Sequence, residues 1–266
     1  LQIEIKELPY WSCCGAMGAH MVNLDLSYAL PARNLAIAAD MDKDLMTACP
    51  VCYNKLKVTQ QILKSDASCL ERVERILGRE LKVGIEVEVK TILEVLQSER
   101  NLEKISQRAG NLLREVKVSC YYGCLVTHLD EMQGFQGIED LTAMETLVEA
   151  SGAEAVLWPC SIDCCGAGFS IINEEVCKDF CRRILDMAAR SDADIIVTSC
   201  PLCQHNLDWA QWKLASEGKK ESFLPVVFIT QLLGVALGGT SKEMMLDSNL
   251  TGSKELLQIL KGRIAR

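Results

Sequence analysis

Apolar residues recur at helical spacing in Leu24–Ala39, Leu141–Ala150, Val176–Ala189 and Leu202–Leu214, and each stretch predicts a helix with one buried face. Shorter apolar runs at Leu45–Ala48, Val116–Ser119, Ala155–Leu157, Ile195–Ser199 and Val226–Ile229 predict strands. Strand alternating with helix predicts an α/β fold in which parallel sheets are covered by helices. Ligands of such sheets collect beyond the carboxyl ends of the strands, and Cys49, Cys124 and Cys200 fall there. The charged stretch Glu99–Arg108 reads as the join between two halves, which sets domains at 1–110 and 111–266. Gly238–Ser253, rich in Gly, Ser and Thr, reads as a loop before a short last helix.

Composition narrows the function. The 266 residues carry 28 Lys+Arg against 36 Asp+Glu, a net charge of −8 with no basic block. Nucleic acid and anionic membrane surfaces are therefore not expected as partners. The longest apolar stretches, such as Leu224–Ile229 and Leu232–Leu237, fall well short of the roughly 20 residues that span a bilayer. No transmembrane helix is expected. The chain begins at Leu1 without a basic-then-apolar leader, which predicts a cytoplasmic protein whose true start is missing or processed.

The 14 cysteines change the picture most. They are too many for an ordinary reduced cytosolic protein and too few for a small disulfide scaffold. Cys13-Cys14 and Cys164-Cys165 are adjacent pairs, while Cys49/Cys52 and Cys200/Cys203 are C-x-x-C pairs. Adjacent cysteines bridge each other only with strain, and a C-x-x-C pair converges on one metal or forms a redox disulfide, so metal is the better reading.

These cysteines repeat. An ungapped offset of 151 positions lays Cys13-Cys14-Gly15-Ala16 on Cys164-Cys165-Gly166-Ala167, Thr47 on Thr198, Cys49-Pro50-x-Cys52 on Cys200-Pro201-x-Cys203, Leu56 on Leu207 and Gln60 on Gln211. A period this long predicts two homologous domains facing each other, related by a pseudo-two-fold, rather than a solenoid. Small neighbours (Gly15, Ala16, Gly18; Gly166, Ala167, Gly168) let backbone approach a metal group closely. C-x-x-C at a strand-to-helix turn also sets two sulfurs beside helix N-terminal amides, which stabilise thiolates. Four repeated sulfurs per copy suit either a tetrahedral zinc ion or a four-iron cluster.

The order Cys124, then Cys164-Cys165-Gly166, then Cys200-x-x-Cys203 resembles the CCG domain of HdrB, the disulfide-cleaving subunit of heterodisulfide reductase, and of its bacterial relatives. The first copy matches from Cys13-Cys14-Gly15 to Cys49-x-x-Cys52, but the offset carries the counterpart of Cys124 to a position before Leu1. The expectation is a bacterial-type relative that is N-terminally incomplete. The resemblance implies that each motif binds a non-cubane [4Fe-4S] cluster through five cysteines. It implies that the two clusters face one another across the domain interface, and that a disulfide between them is cleaved reductively with each sulfur bonded to one iron. It implies electron delivery by two partners, one resembling the separate iron–sulfur subunit of heterodisulfide reductase (HdrC) and one resembling its flavin subunit (HdrA). The sequence contains no G-x-G-x-x-G nucleotide fingerprint, in keeping with electrons received from elsewhere. A protein that relays electrons without binding a disulfide is the alternative.

The site residues expected are therefore Cys13, Cys14, Cys49, Cys52, Cys124, Cys164, Cys165, Cys200 and Cys203. Cys120 and Cys160 compete with Cys124, and the family pattern Gly123-Cys124 selects the later residue. Cys177 and Cys181, spaced i,i+4 on a helix, read as buried small hydrophobes, and Cys69 as incidental. His20, His128 and His205 each follow a cysteine motif and are candidate proton donors to departing thiolates. Trp11, Trp158, Trp209 and Trp212 read as core.

Overall fold

The fold was taken from a computed structural model, which describes residues 1–16, 18–81, 87–127, 141–218, 224–251 and 256. Its contacts separate two units, Gln2–Val95 and Leu96–Arg266, the latter including Leu1.

In the N-terminal unit the order is α1 (Ala19–Val22), α2 (Leu24–Asp40), β1 (Leu45–Thr47), α3 (Pro50–Ser65), α4 (Ala67–Leu77) and β2 (Val89–Thr91), followed by α5 (Ile92–Leu96) at the unit's end. Strands β1 and β2 pair in parallel, Leu45 opposite Val89 and Thr47 opposite Thr91. Ala29, Ala32 and Leu35 of α2 pack with Leu56 and Leu63 of α3 and with Cys69 and Val73 of α4. The alanines keep α2 close to its neighbours, and the i,i+4 pair Cys69/Val73 gives α4 its buried stripe. Strand β2 has no counterpart among the expected strands: Val-Lys-Thr is too short and too polar to stand out, and only Val89 and Thr91 turn inward.

The C-terminal unit continues with α6 (Glu99–Arg108), β3 (Lys117–Tyr121), α7 (Cys124–Thr127), α8 (Ala143–Ala150), β4 (Glu154–Val156), α9 (Glu174–Arg190), β5 (Ile195–Thr198), α10 (Pro201–Ser216), β6 (Val226–Phe228) and α11 (Ile229–Ala236). All four strands are parallel, in the order β4-β3-β5-β6. Helices bury both faces of the inner strands, so β5 is an unbroken apolar run capped by Thr198, while β4 at the edge is partly exposed. Strand β3 runs two residues beyond the expected end because Cys120 and Tyr121 are also buried. The stretch Glu99–Arg108, read above as a join, is helix α6; Asn101 and Ile105 are its buried residues, and it packs against α8 within the C-terminal unit. Charge on its outer face hid that buried stripe. Gly238–Ser253 holds a short 3-10 turn, Leu246–Ser248, anchored by buried Leu246. Most of the expected last helix lies outside the described residues. Among the described residues no helix is long and apolar enough to cross a membrane.

Candidate functional site

The two C-P-x-C segments are built alike. Thr47 and Thr198 end β1 and β5, and their hydroxyls accept from the Cys49 and Cys200 backbone N–H at 3.3 and 3.2 Å. Cys49 and Cys200 are the N-caps of α3 and α10, with φ/ψ of −119/121° and −117/117°, and a proline follows each at the first helical position. Proline there loses no hydrogen bond and presets the first turn. Neither cysteine side chain caps its own helix. Cys52 and Cys203 follow within the first turn, where the helix end carries partial positive charge. Further along, Gln60 and Gln211 donate to the Val87 and Leu224 carbonyls at 2.8 and 2.9 Å, tying each helix to the chain that enters the next strand.

The C-C-G turns bring the second set of sulfurs in. Gly15 and Gly166 sit at φ 82° and 75°, where a side chain would be strained. A Cβ on Gly166 would also stand 3.1 Å from the Cys177 Cα. With the chain reversed there, the Ala16 and Ala167 backbone N–H groups bond the Cys14 and Cys165 sulfurs. The Gly166 N–H donates to Cys164 Sγ at 3.3 Å. Cys14 Sγ lies 3.1 Å from Cys52 Sγ, and Cys165 Sγ lies 3.6 Å from Cys203 Sγ.

These contacts favour thiolate. The hydrogen bond from Cys52 lowers the Cys14 pKa to about 6, and the same bond pushes Cys52 up. Cys203 lowers Cys165 in the same way and is itself raised. Cys124 lowers Cys164 to about 6, helped by the Gly166 N–H, and is raised in turn. In each pair one thiol is lowered and its partner raised.

Cys124 reaches Cys164 because the end of β3 is tied to the loop before the C-C-G turn. The Tyr122 and Gly123 N–H groups donate to the Ser161 carbonyl at 2.7 and 3.1 Å. The Tyr121 hydroxyl donates to the Asp163 carbonyl at 2.6 Å, and Trp158 Nε1 donates to the Cys120 carbonyl at 2.8 Å. Gly123 must lack a side chain, since a Cβ would stand 2.9 Å from Cys203 Sγ. Tyr121 and Trp158 are site-positioning residues that sequence reasoning took no account of or treated as core. The one local signal was an aromatic pair standing before Gly123-Cys124.

The remaining cysteines point elsewhere. Cys120 is buried on β3 beside Glu145, and burial pushes its thiol up. Cys160 is also raised by burial, with Asp163 and Arg183 as neighbours. Cys69 is a core residue of the N-terminal unit. Cys177 and Cys181 are fully buried, as expected of core cysteines, yet they also donate to the Cys165 carbonyl at 3.6 and 3.3 Å and so pin the C-C-G turn to α9. His20 on α1 and His205 on α10 are exposed, and His128 lies outside the described residues. Trp11 and Trp212 are exposed, while Trp209 is partly buried against the C-terminal core.

A metal group must match this donor set. Among the described residues no three His, Cys, Asp or Glu side chains converge as the cage of one ion. The sulfurs come instead as linked sets near the strand ends, Cys52 hydrogen-bonded to Cys14 and Cys49, and Cys203 to Cys165 and Cys200. Such soft donors, held by N–H groups in apolar surroundings, fit an iron–sulfur cluster whose separate irons take separate thiolates. Ser199, between Thr198 and Cys200, adds a buried hydroxyl without a hydrogen-bond partner among the described residues.

Comparison with known proteins supplies the family. The one described as Cysteine-rich domain, CCG, matches residues 1–57 and 118–208. A relative from Wolinella succinogenes, the 8-methylmenaquinol:fumarate reductase membrane anchor subunit, is 32% identical over 96% of this chain and 89% of its own length. The HdrB protein of the ferredoxin:CoB-CoM heterodisulfide reductase of Methanosarcina mazei is 28% identical over 97% of this chain and 87% of its own. An HdrB-like protein of Archaeoglobus profundus is 31% identical over 90% and 82%. The fold is shared with a crystal structure of a hypothetical protein from Helicobacter pylori at TM-score 0.63 and 15% identity, covering 91% of this chain and 44% of that one. Two C-C-G turns paired with two C-P-x-C helices, matched along nearly the whole chain, make this protein a member of the CCG cysteine-rich domain family, related to the HdrB proteins of heterodisulfide reductases.

Proposed function

We propose that this chain is the iron–sulfur oxidoreductase subunit of a heterodisulfide reductase-like complex, with one cluster site in each unit. Cys13, Cys14, Cys49 and Cys52 serve the first site, and Cys124, Cys164, Cys165, Cys200 and Cys203 the second. The observation that carries this reading is the repeated pairing of a C-C-G sulfur with a C-P-x-C sulfur, 3.1 Å in one unit and 3.6 Å in the other. When bound, two [4Fe-4S] clusters of the non-cubane type would supply the two electrons that, with two protons, turn a small disulfide into two thiols.

The chain's residues do the rest. Backbone N–H groups of Ala16, Gly166 and Ala167 hold negative charge on sulfur. The packing of Tyr121, Trp158, Cys177 and Cys181 keeps water from Cys165, Cys200 and Cys203 of the second site. Exposed His20 and His205 are the proton donors reachable from solvent, and His128 shares that role by its place after Cys124. Electrons come from an iron–sulfur partner resembling HdrC and a flavin partner resembling HdrA, in a cytoplasmic complex.

One finding favours a second reading, an electron relay: the Wolinella relative is named as part of a quinol:fumarate reductase, whose name contains no disulfide. Titration of the intact complex with small thiols and disulfides, followed by electron paramagnetic resonance, separates the two. A disulfide reductase offers substrate sulfur a place at the clusters, so the signals shift and isotope-labelled sulfur shows hyperfine coupling. Unchanged signals across a broad thiol panel, in a complex that still passes electrons, would establish the relay instead.

A further inference from the structure

Asn206 follows Cys203 by three residues on α10 and so projects from the same face of the helix. It is only 3% exposed. Burying a side-chain amide is costly unless it finds a partner. Its Nδ2 lies 3.6 Å from Cys165 Sγ, within reach of an N–H···S bond. Among the described residues the first copy shows no such arrangement. The offset that superposes the cysteines puts Lys55, partly exposed, at this place. Cys14 takes its hydrogen bonds from Cys52 and the Ala16 N–H.

We propose that Asn206 is a positioning residue that raises the reduction potential of the C-terminal site by donating its side-chain N–H to the Cys165 sulfur. This rests on the reading of Cys165 as a cluster ligand. An electron added to a cluster increases the negative charge on its thiolates, and a donor fixed against one of them stabilises the reduced form more than the oxidised form. The duplicated backbone donors at Ala16 and Ala167 act on both sites, so Asn206 is a bias of one copy alone.

The test uses the anaerobically purified complex carrying the unmutated chain, Asn206→Leu or Asn206→Ala. Iron and sulfide content is measured first, and iron-free unmutated protein would end the cluster reading itself, and this inference with it. In loaded protein, redox titration followed by electron paramagnetic resonance should show one signal harder to reduce in both variants. The reduced-to-oxidised ratio at fixed potential should fall about tenfold, or about 59 mV for a one-electron couple, with the other signal unmoved. Leu and Ala differ in volume but both lack the donor, so equal shifts exclude a packing effect. Full iron content with unmoved potentials would overturn the proposal. The unmutated protein gives an independent reading: asparagine labelled with ¹⁵N in the side chain should show nitrogen hyperfine coupling to the reduced cluster. Absence of that coupling overturns the proposal even where a variant does not fold.

Discussion

Cys69, Cys177 and Cys181 are fully buried, whereas Cys13 and Cys164 are exposed, so depth does not separate the proposed ligands from the core cysteines. Company does. Cys165 and Cys203 touch sulfur, while Cys69 lies among aliphatic side chains on α4. Replacing Cys203 with Ala should therefore remove about half the iron from the protein, because the thiolates left behind no longer have a metal that justifies their burial. Cys69→Ala should retain all the iron and cost about 1 kcal/mol through the small void it leaves. Iron analysis alongside thermal unfolding reads both, and equal iron in Cys203→Ala and unmutated protein would remove that cysteine from the site. Cys14 and Cys164 are both lowered to about 6 by a hydrogen bond from a neighbouring thiol, which is itself raised.

At the scale of elements, the strand–Thr–Cys–Pro–helix unit occurs twice with nearly the same backbone angles and ends each time in a glutamine that ties helix to strand. The two glutamines do not carry equal weight. Gln211 is fully buried; its Nε2 donates to the Leu224 carbonyl and to Thr251 Oγ1, and its Oε1 accepts from the Leu224 N–H at 2.9 Å. Gln60, which donates to the Val87 carbonyl, is partly exposed, so water can replace the partners that its loss leaves behind. Gln211→Leu strands buried polar groups and should cost about 2–3 kcal/mol, against about 1 kcal/mol for Gln60→Leu. Urea unfolding of each variant measures the difference, and equal losses would show that the tie matters no more in one copy than in the other.

This unit was legible in the sequence because its causes are local: an apolar run, a threonine, a proline at the first helical position. The C-C-G segments were legible as motifs because the paired cysteines and their small neighbours recur at one offset, while the positive φ at Gly15 and Gly166 belongs to the folded chain. Strand β2 and helix α6 were not, since Val89-Lys90-Thr91 becomes a strand only by pairing with β1, and Ile105 is apolar cover only once α8 lies beneath it. The role of Tyr121, the carbonyl of Cys165 as acceptor for Cys177 and Cys181, and the Asn206 contact are likewise products of tertiary packing. Even the repeat is less regular than its ungapped offset suggests. Asn23 and Asn173 cap α2 and α9 through the Leu26 and Val176 N–H groups, one position out of step, because the loop after the second C-C-G turn is a residue shorter.

For the whole molecule, two units each carry a C-C-G turn and a C-P-x-C helix on parallel strands, within an acidic chain of net charge −8. The duplication makes a quantitative demand, since a zinc reading and an iron–sulfur reading of the same thiolates differ in both element and number. The most direct measurement is the metal and acid-labile sulfide content of the full-length protein purified without oxygen. Two four-iron sites require about eight irons and about eight sulfides per chain, whereas about two zinc ions with negligible iron and no sulfide would contradict the account.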